Sequence, residues 1–324
     1  MTAQWSAQSG GRFFNGPTIL LAAAFLLPAL IPGLFGWISG MMAIPVFYFL
    51  KVDGERQGGI EIRNSILLAG AGALVLQQLP VMLFSLTLIP LAYSLNRSAA
   101  AGDSEVRTGA RGVIILGASW FVFWAVYGTI VGINPYTHLL KTLDSGFAQV
   151  YEIYSKNGNL PADTLLNLEQ VIHELRRLIP IILPGMLACS VMMTVWMNMV
   201  GANSLLQRLR PELAPWRKYS HWRLPDRIVW LPIVAGVALT IGSGIVKNAA
   251  LWILLVSALL YFFQGLAVLI HLLDKWKVPL YIRILIYGII VLQGYGLFVL
   301  VITGVADVWI DFRHRHDNKQ HPDN

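Results

Sequence analysis

One cysteine, Cys189, stands in 324 residues, and it lies inside an apolar run. It excludes an intrachain disulfide and any zinc site built from cysteines, and by default it is a small buried hydrophobe. Charge is scarce as well: 13% of residues are charged, against about 25% in a typical soluble domain, so a water-soluble surface cannot be built from this chain. Conventional catalytic signatures are missing. His173-Glu174 is followed by Leu175, Arg176 and Arg177 rather than by a second histidine at zinc-binding spacing. Neither a Gly-x-Ser-x-Gly elbow nor a Gly-x4-Gly-Lys-Ser/Thr phosphate loop occurs. No enzyme, no cofactor and no metal site is expected.

What is present is apolar sequence, 56% of the chain. Runs near the roughly 20 residues that a helix needs to cross a bilayer core recur from end to end and leave no room for a large soluble domain. The expected fold is all-α, a polytopic transmembrane helical bundle of eight to ten spans with an amphipathic helical pair between spans five and six. The formal charge is +7, and the basic residues concentrate in short loops. That distribution fits the positive-inside rule and contact with anionic lipid headgroups rather than nucleic acid.

In order along the chain, residues 1–16 are polar and are expected to be disordered. The apolar stretch Thr18–Leu50 is too long for a signal-peptide core and reads as retained membrane sequence. Pro28, Pro32, Gly33 and Gly36 divide it into two spans, about 17–31 and 34–50. A second run, Asn64–Asn96, is broken at Gln77-Gln78-Leu79-Pro80, and a fifth span covers about 112–133. Residues 17–133 thus form an N-terminal membrane half, with a cytoplasmic N-terminus implied by the alternation of basic loops. Residues 134–178 change pattern. Leu140, Leu143, Phe147 and Tyr154, then Leu165, Leu168, Ile172 and Leu175, recur at three- and four-residue steps, giving two amphipathic helices. Asn157-Gly158 and Pro161 supply the turn between them, on the extracytoplasmic side.

A C-terminal membrane half, 179–313, follows, and 314–324 form a disordered tail. Its most basic loop carries Arg217, Lys218, Arg223 and Arg227 among Trp216, Trp222 and Trp230, a pattern of topology determinants and interfacial anchors meeting lipid headgroups or a partner. The last apolar run, Leu280–Ile310, is roughly 46 Å long as one helix against about 30 Å of hydrocarbon. Either it tilts and projects, or it breaks near Gln293-Gly294-Tyr295-Gly296, and the basic tail favours the break. Leu27-Pro28-Ala29-Leu30-Ile31-Pro32-Gly33 echoes Ile179-Pro180-Ile181-Ile182-Leu183-Pro184-Gly185, but the match is short enough for chance. The pairs Gly36/Gly40 and Gly128/Gly132 are spaced for close helix packing.

Polar groups inside apolar spans must find internal partners. Gln77, Gln78, Asn198, Asn248, Gln264, His271, Gln293 and Asp307 are such groups, and Asp307 alone among them is an acid. Asp307 and Asp311 lie four apart near a helix C-terminus, where like charges repel and the dipole opposes a carboxylate. Arg315, four residues after Asp311, offers it an acid-first pair, and Trp309 with Arg313 offers a cation–π contact. Asp307 is left needing a partner: Lys247 if the final run is one helix, or the loop around Arg223 and Arg227 if it breaks.

Arg223-Leu224-Pro225, Asn248, Tyr261-Phe262-Phe263-Gln264-Gly265-Leu266-Ala267, Pro279 and Gly304-x2-Asp307-x-Trp309-x-Asp311-Phe312-Arg313 together resemble the C-terminal half of the YybS-like bacterial membrane proteins. The resemblance covers 223–313. It implies a multi-pass protein of the bacterial inner membrane, in a family of unknown function. Such proteins are similar in helix layout to the substrate-binding subunits of energy-coupling-factor vitamin transporters, although this chain has more spans and the 134–178 insertion. The leading expectation is therefore binding or transport of a small molecule or lipid-linked group, with Asp307, Gln264, Asn248 and Gln293 as substrate-binding candidates. Trp309, Asp311 and Arg313 form a structural or interfacial motif. The alternative is a non-transporting scaffold or assembly factor for envelope proteins. Expected partners are the bilayer, its anionic headgroups, and a membrane-protein partner or transporter ATPase.

Overall fold

The computed structural model describes residues 15–156 and 161–313. The expected disorder of the two ends, the Asn157-Gly158 turn and Arg315 fall outside the described residues. Thirteen α-helices are described, and no strand accompanies them. In chain order they are α1 Gly16–Leu30, α2 Pro32–Phe35, α3 Ala43–Val52, α4 Gly54–Val75, α5 Leu79–Leu86, α6 Ile89–Ala100, α7 Glu105–Val131 and α8 Pro135–Lys156. Then follow α9 Ala162–Leu209, α10 Trp230–Ile241, α11 Gly244–Lys275, α12 Leu280–Gln293 and α13 Tyr295–Ile310. The chain divides into two compact units, Met1–Phe123 with Thr194–Trp216, and Trp124–Met193 with Arg217–Asn324.

Among the described residues, four stretches are long and apolar enough to cross a membrane: Leu79–Ala100, Glu105–Val131, Asp163–Leu209 and Gly244–Lys275. Two sharply bent pairs raise the number to six if each counts as one span, Gly16–Leu30 with Pro32–Met41 at 109° and Leu280–Gln293 with Tyr295–Ile310 at 107°. A polytopic helical bundle is therefore the fold, with fewer spans than the eight to ten expected. The difference has local causes. α3, which closes the first apolar run, has only 10 residues, about half of what a spanning helix needs. α4 is held back by its charged first turns, Glu55 to Arg63. One expected boundary is also absent: the second amphipathic helix does not end before the sixth span, since α9 runs through as one helix of 48 residues with Pro180 and Pro184 inside it.

Chain punctuation sets most boundaries. Asn15 caps α1, its side-chain oxygen accepting from the Thr18 N–H at 3.2 Å. Pro32 ends that helix, because the residue before a proline is pushed out of the helical region, and the chain turns sharply there. The echoing prolines at 180 and 184 meet no such turn inside α9, so the two segments share residues but not geometry. Gly294, at φ +62°, makes the break between α12 and α13, where a side chain would be strained. The final run is thus broken where the sequence suggested.

In the first unit, Leu21, Phe25, Val46, Phe47, Leu50, Leu91 and Leu95 are buried in the core. Asn198 is interhelical glue: its Nδ2 donates to the Gly40 carbonyl at 2.6 Å and to that of Thr194 at 2.8 Å. Trp216 departs from its expected role as an interfacial anchor. It is only 8% exposed and stacks on Phe47 at 5.8 Å between ring centroids. Asn203 grips its backbone on both sides, donating to the Trp216 carbonyl and accepting from its N–H. Trp230, 64% exposed, lies on the surface, where such an anchor has to be. A β-carbon added at Gly36 or Gly40 would meet nothing within 4 Å, and one at Gly128 would meet Ile133 and Pro135 of its own turn, so these spacings do not mediate helix packing.

Trp216→Ala should lower the stability of the full chain in detergent by about 3–5 kcal/mol, the usual cost of removing a buried tryptophan. Trp230→Ala should change it by less than about 0.5 kcal/mol. Thermal unfolding of the two variants side by side checks both.

Candidate functional site

The second unit is organised by a backbone-to-backbone crossing of α11 and α13. A β-carbon on Gly265 would fall 1.9 Å from the Leu300 carbonyl oxygen, and one on Gly304 would fall 2.0 Å from that of Tyr261. No larger residue fits at either position, and small residues are what let apolar helices approach so closely. Around the crossing, buried Tyr261 packs with Leu224 and Val229, and Val301, Val305 and Val308 close over them.

This proximity puts Gln264 and Asp307 in each other's reach. Gln264 is 0% exposed and Asp307 1%. Gln264 Nε2 donates to Asp307 Oδ2 at 3.0 Å, and its Oε1 accepts from the Leu224 N–H at 3.4 Å. One amide side chain thus ties α11 both to α13 and to the segment that precedes α10. The end of α13 supplies the rest. Asp311 takes the left-handed conformation, φ 47° and ψ 69°, and its N–H returns to the Asp307 carbonyl. The chain then curls so that the Phe312 N–H reaches Asp307 Oδ1 at 3.2 Å and the Arg313 guanidinium reaches Oδ2 at 3.4 Å. Asp307 therefore receives three donors, one of them a cation.

The partner that the sequence left undecided is Arg313, six residues along the same chain. Neither Lys247 nor Arg227 fills that place. Arg223 turns to Asp311 at 3.3 Å and to Asp226 at 3.3 Å, so the carboxylate four residues from Asp307 has its own cation. The i,i+4 repulsion is relieved by ending the helix between them and giving each acid an arginine. Arg313 is thereby taken from its expected contact with Trp309, which is exposed. Burial holds the Arg313 guanidinium below its ordinary value, Asp307 opposes that shift, and nearby Arg223 adds to it. Arginine stays charged through such a shift, so the cluster is a buried ion pair bound by amide and backbone donors.

The other candidates lie elsewhere. Gln293 is exposed at the last position of α12, and Asn248 is half-buried in the first turns of α11. Arg217, Lys218 and Arg227 are exposed on the loop before α10, as headgroup contacts require. Gln264, Asp307, Phe312 and Arg313 bond to one another, while Arg313 Nε is buried without a hydrogen-bond partner among the described residues. What sequence reasoning missed was the pair Gly265 and Gly304, far apart in the chain and each ordinary in an apolar run. The signal was their position, one residue after Gln264 and three before Asp307.

An all-helical chain with several bilayer-length apolar helices, whose buried acid is neutralised inside the protein, is a multi-pass membrane protein. The family model described as "Predicted membrane protein (DUF2232)" matches residues 19–308, and the chain belongs to that family. No curated protein and no solved structure matches it.

Gly304→Ala should destabilise the protein by about 1–3 kcal/mol through overpacking against an unyielding carbonyl, read as a lower unfolding midpoint in detergent. Asp307→Asn should cost about 3–5 kcal/mol, because it leaves Arg313 buried without a counter-charge. Adding Arg313→Met to that variant should recover most of the loss. A double-mutant cycle on unfolding free energies checks the coupling.

Proposed function

We propose that the protein is a non-transporting scaffold or assembly factor of the bacterial inner membrane, which holds other envelope proteins through the helical pair 134–178. The observation that carries this reading is the state of that pair. α8 and the first part of α9 are joined by an ion pair, Arg176 to Asp144 at 2.6 Å, and by Tyr136 Oη donating to the Pro180 carbonyl at 3.3 Å. Two cavities of about 460 and 680 Å³ lie along them. Val150, Ile153, Tyr154, Leu166, Val171 and Leu175 are exposed, so two amphipathic helices leave apolar residues uncovered. Apolar residues left exposed on such a pair are what a partner protein would cover.

The Asp307 cluster supports the same choice. A substrate route through Gln264 and Asp307 would have to open a crossing in which the backbones touch and to separate a buried ion pair, at a cost of several kcal/mol. The resemblance of 223–313 to the YybS-like proteins fits a multi-pass bacterial protein and assigns it no chemistry.

A photo-crosslinking residue placed at Ile153 or at Leu166 of the full chain should capture a discrete membrane-protein partner in native membranes, while one placed at lipid-facing Ile114 should not. Adducts to lipid alone at all three positions would sink the scaffold reading and return the protein to the small-molecule or lipid-linked-group class.

A further inference from the structure

In the first unit, a cavity of about 700 Å³ opens where α6 ends and α7 begins. Its walls are graded. Arg97 lies in the last turn of α6 and Arg111 in the second turn of α7, next to the connecting loop. Pro90 and Ile115 line it further along the same helices, away from the loop. Both helices belong to stretches apolar enough to cross a membrane, so the charged end of the cavity sits at the headgroup level and the apolar end within the hydrocarbon. Arg111 is already paired to Asp103 at 2.8 Å and donates to Ser98 Oγ at 2.9 Å. Arg97 has no carboxylate partner among the described residues. On the same wall Ser94 is 7% exposed, and its hydroxyl finds no partner, a state that normally costs free energy unless something else supplies the bond. Glu55 also lines the cavity, accepting from Asn96 Nδ2 at 2.8 Å, and the Tyr93 ring lies beside it.

We propose that this cavity binds one zwitterionic aminophospholipid. Its phosphate meets the Arg97 and Arg111 guanidiniums, its ammonium meets Glu55 and the Tyr93 ring, and its acyl chains follow Pro90 and Ile115. The chemistry selects this class on three counts. Guanidinium forks suit phosphate oxygens. A carboxylate in the same cavity opposes a headgroup whose only charge is negative, yet complements an ammonium next to the phosphate, which an aromatic face also attracts. The apolar end disfavours a soluble phosphate ester, which would leave that surface without a partner. The Ser94 hydroxyl gains an acceptor in the bound lipid's phosphate or ester oxygens. This inference does not depend on the scaffold reading, since it uses none of the residues of the helical pair.

The test is native mass spectrometry of the full chain, delipidated and returned to phosphatidylcholine nanodiscs doped with phosphatidylethanolamine or with phosphatidylglycerol. The wild type should retain one phosphatidylethanolamine in preference to phosphatidylglycerol. Arg97→Gln should weaken retention about tenfold, the effect of one lost charge-assisted bond, while Arg97→Lys keeps most of it. Glu55→Gln should erase the preference for the amino lipid. Ile115→Trp, which fills the apolar end, should displace the lipid without touching a charge. Each variant is compared at an unchanged unfolding midpoint, which the exposed position of Arg97 makes attainable. Unaltered retention in both Arg97→Gln and Ile115→Trp would overturn the proposal, as would equal binding of phosphatidylglycerol. Displacement by an equal concentration of soluble glycerophosphoethanolamine would also overturn it, by identifying a free phosphate-ester site.

Discussion

A carboxylate buried among apolar helices has to be neutralised within the protein, and the second unit is built around the way Asp307 meets that demand. The cation comes from Arg313 in the chain's own return past the end of α13, an amide comes from Gln264 on α11, and a backbone N–H comes from Phe312. Gln264 reaches Asp307 only because α11 and α13 touch at Gly265 and Gly304. Close approach and charge neutralisation are therefore one constraint. Glycine permits the contact, the contact aligns the amide with the acid, and the acid fixes the turn that brings the arginine home. The electrostatics of an acid at a helix C-terminus, unfavourable alone, become favourable because the helix stops at Asp311 and presents its arginine.

In the first unit buried amides pair with backbone carbonyls instead. Asn198 donates to the Gly40 and Thr194 carbonyls and Asn203 to that of Trp216, as polar groups do where water is scarce. The basic loop that connects α9 to α10 is consequently of two kinds. Its Trp216 end is core, gripped by Asn203 and stacked on Phe47. Its Arg223 end is a bracket that clamps Asp311 and Asp226. Arg217, Lys218, Arg227 and Trp230 remain on the outside, where a lipid headgroup or a partner can meet them.

Much of this was legible in advance, for reasons that differ by residue. Pro32, Gln77 to Pro80, and Gly294 marked real discontinuities, since proline and positive-φ glycine act on their immediate neighbours. Asp307 stood out as a buried acid, and Gln264 as a polar group that needed a partner. The identity of Asp307's partner was not legible, because i,i+4 rules presume a continuing helix, and the helix ends at Ile310. Trp309 with Arg313 and Asp311 with Arg315 were reasonable helical pairs, but Arg313 turns inward to Asp307. Pro180 and Pro184 misled in the opposite direction, since a long apolar helix can carry prolines when its neighbours satisfy the freed carbonyls; the Pro180 carbonyl, which Pro184 leaves without its helical partner, accepts from Tyr136 Oη.

Composition and hydropathy, read along the chain, determined that this is an all-helical, multi-pass membrane protein. They do so because the cost of burying backbone and charge in hydrocarbon acts on every residue wherever it lies. Which glycines touch, which arginine neutralises which aspartate, and whether a tryptophan anchors in lipid or packs in the core were decided only by tertiary structure. Those outcomes depend on how the chain turns and on pairs of residues that can lie tens of positions apart, and a linear pattern carries no record of the pairing.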